Sequence, residues 1–157
     1  LSIQQNAEYQ IIIIKMKKDL SKFLDFKPYK QTKGEKYMNP KQIEHFKKIL
    51  LDWKNLLMKE AEKTVENMKR DSTKLSDPND AATQEEEFRL DLRTRERERK
   101  LIIKIDQALQ RVDDGLYGYC EDTGEPIGIK RLEARPIATL CIEAQERHER
   151  LEKSQIN

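Results

Sequence analysis

The 157 residues contain only two cysteines, five glycines and five prolines, and no long apolar run. Two thiols, Cys120 and Cys141, do not make the disulfide framework of a small secreted domain. The longest apolar run, Ile11 to Ile14, falls far short of the roughly 18–20 residues that cross a bilayer, and is too short for the core of a signal peptide. These absences predict no membrane partner and a reducing cytoplasm. An excess of one charge is missing too: 31 basic against 29 acidic side chains leave a net +2, which argues against a general nucleic-acid binder.

What is present is charge, at 38% of residues, with only 36% apolar. A compact globule has about 25% charged and about 45–50% apolar residues, so this chain can order itself only as long helices with narrow apolar seams. Few glycines and prolines fit the same architecture, because little interrupts a helix.

Residues 1–38 read as a partly flexible leader. Met16-Lys17-Lys18-Asp19, after Ile11 to Lys15, resembles a translation start, so residues 1–15 are expected to be dispensable. The polar stretch from Lys27 to Met38 is expected to wrap against the main body.

The first helix has a legible start: Asn39 as N-cap, Pro40 at the first helical position and Gln42 where a capping-box partner belongs. Ile43, Phe46, Leu50, Trp53 and Leu57 recur at 3-4 spacing, and the stripe continues through Ala61, Val65 and Met68. Ser72 to Asp80 is a turn rich in Ser, Asp, Asn and Pro that also restarts a helix, with Asp77 as cap and Pro78 behind it. Glu85, Glu86 and Glu87 load the early turns, where negative charge suits the helix dipole. The second helix is predicted to reach about Asp114, with Gly115 as C-cap and a seam of Phe88, Leu92, Ile102, Ile105, Leu109 and Val112. Two such helices fold back as an antiparallel coiled-coil hairpin over residues 39–115, its tip at 72–83.

The seam is broken from Arg93 to Lys100. Ion pairs along a solvated face account for most of that run, and an anionic partner facing some of the arginines is the sharper alternative. Residues 116–157 form a third region. A small zinc-ribbon-like knuckle with two short β segments, around Tyr119-Cys120 and Ile127-Gly128-Ile129, precedes a last helix from about Leu140 to Ser154. Cys120 and Cys141 stand where a zinc ribbon has two Cys-x-x-Cys pairs, but Thr123 and Ala144 replace the second members. Structural zinc takes four protein ligands, so the expectation is a module that folds without zinc, Tyr117, Tyr119, Ile127, Ile129, Leu132 and Leu140 packing around buried thiols. A redox role for the thiols finds no basic activating neighbour apart from distant Lys130 and Arg131. No Gly-rich phosphate loop or nucleophile–base pairing is present, and the two histidines, His45 and His148, each sit on a helix face, so an enzyme is not expected.

The fold class is therefore mainly α: a long two-helix hairpin, a small knuckle and a C-terminal helix. The runs Asp77-Pro78-Asn79-Asp80-Ala81-Ala82, Gln84 to Phe88, Arg95 to Ile102, Gly118-Tyr119-Cys120 and Ile127 to Pro136 resemble the DnaK suppressor protein (DksA) family of bacterial transcription factors, in its cysteine-poor branch. The resemblance implies a regulator of transcription initiation that binds RNA polymerase through its secondary channel, without sequence-specific DNA binding. It implies that tip positions Asp77, Asp80 and Ala82 act near the polymerase active centre. It also implies that the alarmone of the stringent response, guanosine tetraphosphate, binds between factor and polymerase at Arg97, Leu101, Lys104, Arg131 and Arg135, with no cofactor required. Thr94 and Gln145 depart from the asparagine and lysine of well-known members. The rival readings are a Gre-type transcript-cleavage factor, whose tip carboxylates help hold a second Mg²⁺, and a generic coiled-coil interaction protein.

Overall fold

The computed structural model describes residues 27–71 and 78–155. Two long helices, α1 (Pro40–Asp71) and α2 (Pro78–Asp113), pack against each other as an antiparallel hairpin. A six-residue helix α3 (Ile129–Ala134) and a closing helix α4 (Ile142–Gln155) follow. At 32 and 36 residues the long helices run about 48 and 54 Å, more than a compact body of this size can enclose, so the hairpin projects.

The start of α1 is a capping box displaced by one residue. Gln42 N–H donates to Asn39 Oδ1 at 2.9 Å, as an N-cap demands, but the Gln42 side chain accepts from Met38 N–H at 2.7 Å rather than from Asn39. Met38 takes a left-handed φ of 52° there and reaches Gly118 so closely that a Cβ at that glycine would lie 2.7 Å from Met38 Sδ. Met38 thus keys the segment before α1 to the knuckle.

The core is concentrated at one end. Phe46, Ile49, Leu50, Trp53 and Leu57 of α1 and Ile105 and Ala108 of α2 are buried with Tyr117, Cys120, Ile127, Leu132, Cys141 and Ala144 of the C-terminal module. Two interhelical ion pairs one heptad apart fix the register beside it, Lys47–Asp113 at 3.0 Å and Lys54–Asp106 at 2.6 Å. Between Leu57 and Ile105 no described residue of either helix is buried. Phe88 and Leu92, expected in the seam, are 48% and 45% exposed, so the second apolar stripe is covered only in its C-terminal half. Residues 27–38 do pack against the body: Tyr29 N–H donates to the Glu133 carboxylate, its ring packs edge-on against His45, and Tyr37 O–H donates to Gly118 O at 2.7 Å.

The knuckle is held by turns rather than strands. Its two expected β segments reduce to one antiparallel bridge, Tyr119 with Pro126, supported by Cys120 N–H to Glu125 O and Ile127 N–H to Gly118 O, both 2.8 Å. Residues 129–134, to which the sequence assigns no helix, form α3, and α4, expected from about Leu140, starts at Ile142.

Candidate functional site

Two regions carry the candidate residues, one at each end of the hairpin. At the far end, Asp80 and Ala82 are exposed on the first turns of α2. Asp77 lies outside the described residues. With 25 residues of helix between Asp80 and Ile105, the nearest buried α2 residue, the carboxylate stands about 38 Å from the core.

At the near end, a cleft of about 200 Å³ opens between α2, α3 and α4. Lys104 and Gln107 face it from α2, Arg131 and Arg135 from α3 and its C-cap, and Gln145 from α4, while Ile137 to Leu140 form its floor. Arg131 is aimed by its Nε–H bond to Leu140 O at 2.9 Å. Arg135 is anchored through its own N–H to Arg131 O at 2.8 Å, and its Nε is buried with no hydrogen-bond acceptor. A buried guanidinium N–H lacking an acceptor costs free energy unless a ligand supplies one. Gln145, which donates to Glu149 Oε1 at 3.0 Å, adds no charge. Three cations converging with one open donor suit a multiply charged oxyanion, whose oxygens match the guanidinium fork.

Of the five residues that the sequence resemblance placed at such a ligand, three meet in this cleft. Arg97 and Leu101 do not line it. Leu101 is partly buried against the core, and Arg97 is exposed two turns beyond Lys104 on the same face of α2. Sequence reasoning missed Gln107 and Glu121, which also line the cleft. Gln107 was accessible from its i,i+3 spacing to Lys104; Glu121 depends on a chain reversal with no local signature.

The thiol site is a different matter. Burial pushes the Cys120 thiol up, but the Thr123 hydroxyl and the backbone N–H groups of Cys141, Thr123 and Asp122 outweigh that and bring it down to about 6. These donors favour the thiolate form at Cys120. Around it, Thr123 Oγ1 sits 3.9 Å from Cys141 Sγ, Ala144 is fully buried as part of the core, and His148 Nε2 is engaged with Asp122 Oδ2 at 2.6 Å. Two thiols, a hydroxyl and a methyl do not make the closed four-ligand set of a structural zinc. Among the described residues, no three His, Cys, Asp or Glu side chains are grouped so as to hold a metal ion, and no helix is long and apolar enough to cross a membrane.

Comparison with known proteins follows the same division of the chain. Residues 42–112 match the family model described as DnaK suppressor protein DksA, N-terminal domain, and residues 115–150 match the prokaryotic dksA/traR C4-type zinc finger. The chain is 54% identical over 125 residues to the RNA polymerase-binding transcription factor DksA of Caulobacter vibrioides, covering 80% of this chain and 88% of that one. It is 52% identical over 118 residues to the protein of that name in Escherichia coli, covering 75% and 78%. Among solved structures it is similar to transcription factor DksA2 from Pseudomonas aeruginosa, with 43% identity and a TM-score of 0.71 over 74% of this chain and 90% of the other.

Proposed function

This chain belongs to the DksA family of RNA polymerase-binding transcription factors, and we propose on that premise that it binds RNA polymerase and regulates initiation by reaching into the secondary channel with the hairpin tip. The observation that carries the reading is the separation of two chemistries along one rigid element. An exposed carboxylate, Asp80, stands at the projecting end, and a cationic cleft of Lys104, Arg131 and Arg135 lies at the anchored end. A globular body could not bring a carboxylate into a narrow channel; a two-helix arm about 10–12 Å across per helix can. The tip alters the environment of the active centre without forming or breaking a bond, so the protein is a regulator and not an enzyme. Its partner places it in the cytoplasm, and no base-reading element is needed, since promoter selectivity arises from how stable each open complex already is.

The cleft takes guanosine tetraphosphate, whose two diphosphates match three converging cations, with polymerase closing the open side. Arg97 and Leu101, outside the cleft on the same helix, then belong to the polymerase-facing surface. Gln145 in place of a cation weakens the hold on the alarmone. The knuckle is held without zinc, by the packing of Cys120, Cys141 and Ala144 and by the Thr123 contact that occupies the space of the missing ligands.

Transcription from a ribosomal RNA promoter by purified polymerase, with and without this protein and the alarmone, tests the reading. Shortened open-complex lifetime with the protein, shortened further by the alarmone, is the expected result. Arg135→Ala should keep the first effect and lose the second. Equal lifetimes in all reactions contradict the reading.

A further inference from the structure

The cleft contains one residue of the wrong sign. Glu121 is the single acidic side chain among those lining it, facing the same space as Lys104, Arg131 and Arg135. A free carboxylate there would repel an anion and compete for the arginines. It is not free: Glu121 Oε1 accepts from Arg111 Nη1 at 2.8 Å, and the Glu121 backbone is pinned by its N–H bond to Thr139 O at 2.9 Å, on the cleft wall.

Arg111 performs two separable tasks with its two terminal nitrogens. Its Nη2 donates to Leu116 O at 3.1 Å and Tyr119 O at 2.6 Å, closing the turn that leaves the hairpin. Its Nη1 is spent on Glu121. The arginine is mostly buried, with 17% of its side chain exposed, whereas Glu121 is half exposed, so the cation is fixed and the carboxylate is the member that would swing if released. The turn needs only the Nη2 bonds; the Nη1 bond has no structural carbonyl to satisfy.

We propose that Arg111 is a positioning residue that neutralises Glu121 and holds it against the cleft wall, keeping the Lys104–Arg131–Arg135 cleft cationic for a diphosphate-bearing ligand. This rests on the ligand reading of that cleft given above. Released from Arg111, Glu121 turns toward the nearest remaining guanidinium and takes the place the ligand would occupy. Arg111 thus governs ligand affinity without touching the ligand.

The test uses the full chain bound to RNA polymerase and radiolabelled guanosine tetraphosphate, measuring binding above that of polymerase alone. Arg111→Met should weaken binding by about fivefold, the scale of one screened charge several ångströms away, whereas Glu121→Gln, whose charge Arg111 already offsets, should strengthen it by less than about twofold. The amide of Glu121→Gln still accepts from Arg111, so the turn is preserved. The deciding variant combines Arg111→Met with Glu121→Gln. If Arg111 acts through the charge of Glu121, the double variant recovers most of the binding lost in Arg111→Met, so that Glu121→Gln strengthens binding far more in that background than in the wild type; an equal factor in both backgrounds means that the two residues act independently, and that result overturns the proposal. Wild-type chain that adds no binding over polymerase, with Arg131→Ala making no difference, would instead remove the alarmone reading itself.

Discussion

The two halves of the hairpin share a helix pair and almost nothing else. Toward the base, α1 and α2 enclose Phe46, Leu50 and Ile105, each with no exposed surface, and are cross-linked by Lys47–Asp113 and Lys54–Asp106. Toward the tip, among the described residues, the ion pairs Lys63–Glu60, Arg89–Glu85, Arg99–Glu96 and Lys100–Glu96 run within single helices. Glu98 marks the change. One of its carboxylate oxygens is buried without a hydrogen-bond partner, and burial together with the facing charge of Glu60 pushes its pKa up, Arg95 only partly opposing. A coiled coil built for stability alone would place an apolar side chain there. The base is therefore a foundation, while the distal arm, which the proposed function makes the probe, is held by helix propensity and a thin seam.

The contrast should be largest in stability. Phe46→Ala is expected to lower the free energy of unfolding by about 3–5 kcal/mol, while Leu92→Ala, already 45% exposed, costs less than about 1 kcal/mol. Urea unfolding followed by circular dichroism measures both, and comparable losses would erase the distinction between halves.

Next in size is the distal seam itself. Glu98→Leu should slow amide exchange in residues 58–71 and 80–100 by about tenfold and leave 43–57 unchanged, because it replaces a half-buried carboxylate, one oxygen of which has no hydrogen-bond partner, with an apolar contact. The sign with pH follows from the raised pKa. The ionised form is disfavoured in the folded arm, so the arm is tightest below the ordinary value of 4.5 and loosens as pH rises through Glu98's own, higher value. Glu98→Gln should abolish that dependence of distal exchange.

The smallest effect belongs to the register pairs. A double-mutant cycle on Lys54 and Asp106, with side chains 29% and 48% exposed, should return a coupling of about 0.2–1 kcal/mol, shrinking with added salt. Coupling well above that would mean that charge, and not the core, fixes the base.

Much of this was legible from the chain because helices announce themselves locally. Asn39, Pro40 and the 3-4 spacing from Ile43 to Leu57 fixed the start and buried face of α1, and the restart at Pro78 placed α2. Periodicity could not say how far that face is covered. Phe88 and Leu92 fit the stripe yet stay exposed, because burial depends on what the opposing turns of α1 offer. The knuckle was less readable still. Helix α3 has under two turns, too few for a period, and its N-cap, Gly128, offers no side-chain bond. The alternation around Cys120 and Ile127 suggested strands where turns leave one bridge. For the cleft, Lys104, Arg131 and Arg135 came from a family resemblance and converge in space, whereas Arg111 and Glu121 meet only because the chain reverses through the knuckle.

The central claim, that the stable base serves to present an acting tip, is tested most directly at Asp80. Open-complex lifetime at a ribosomal RNA promoter should be compared for wild-type chain and Asp80→Asn, alongside their affinities for polymerase. The account predicts that Asp80→Asn binds polymerase nearly as well as the wild type and leaves open-complex lifetime as long as with no factor. An Asp80→Asn chain that shortens the lifetime as the wild type does would contradict it.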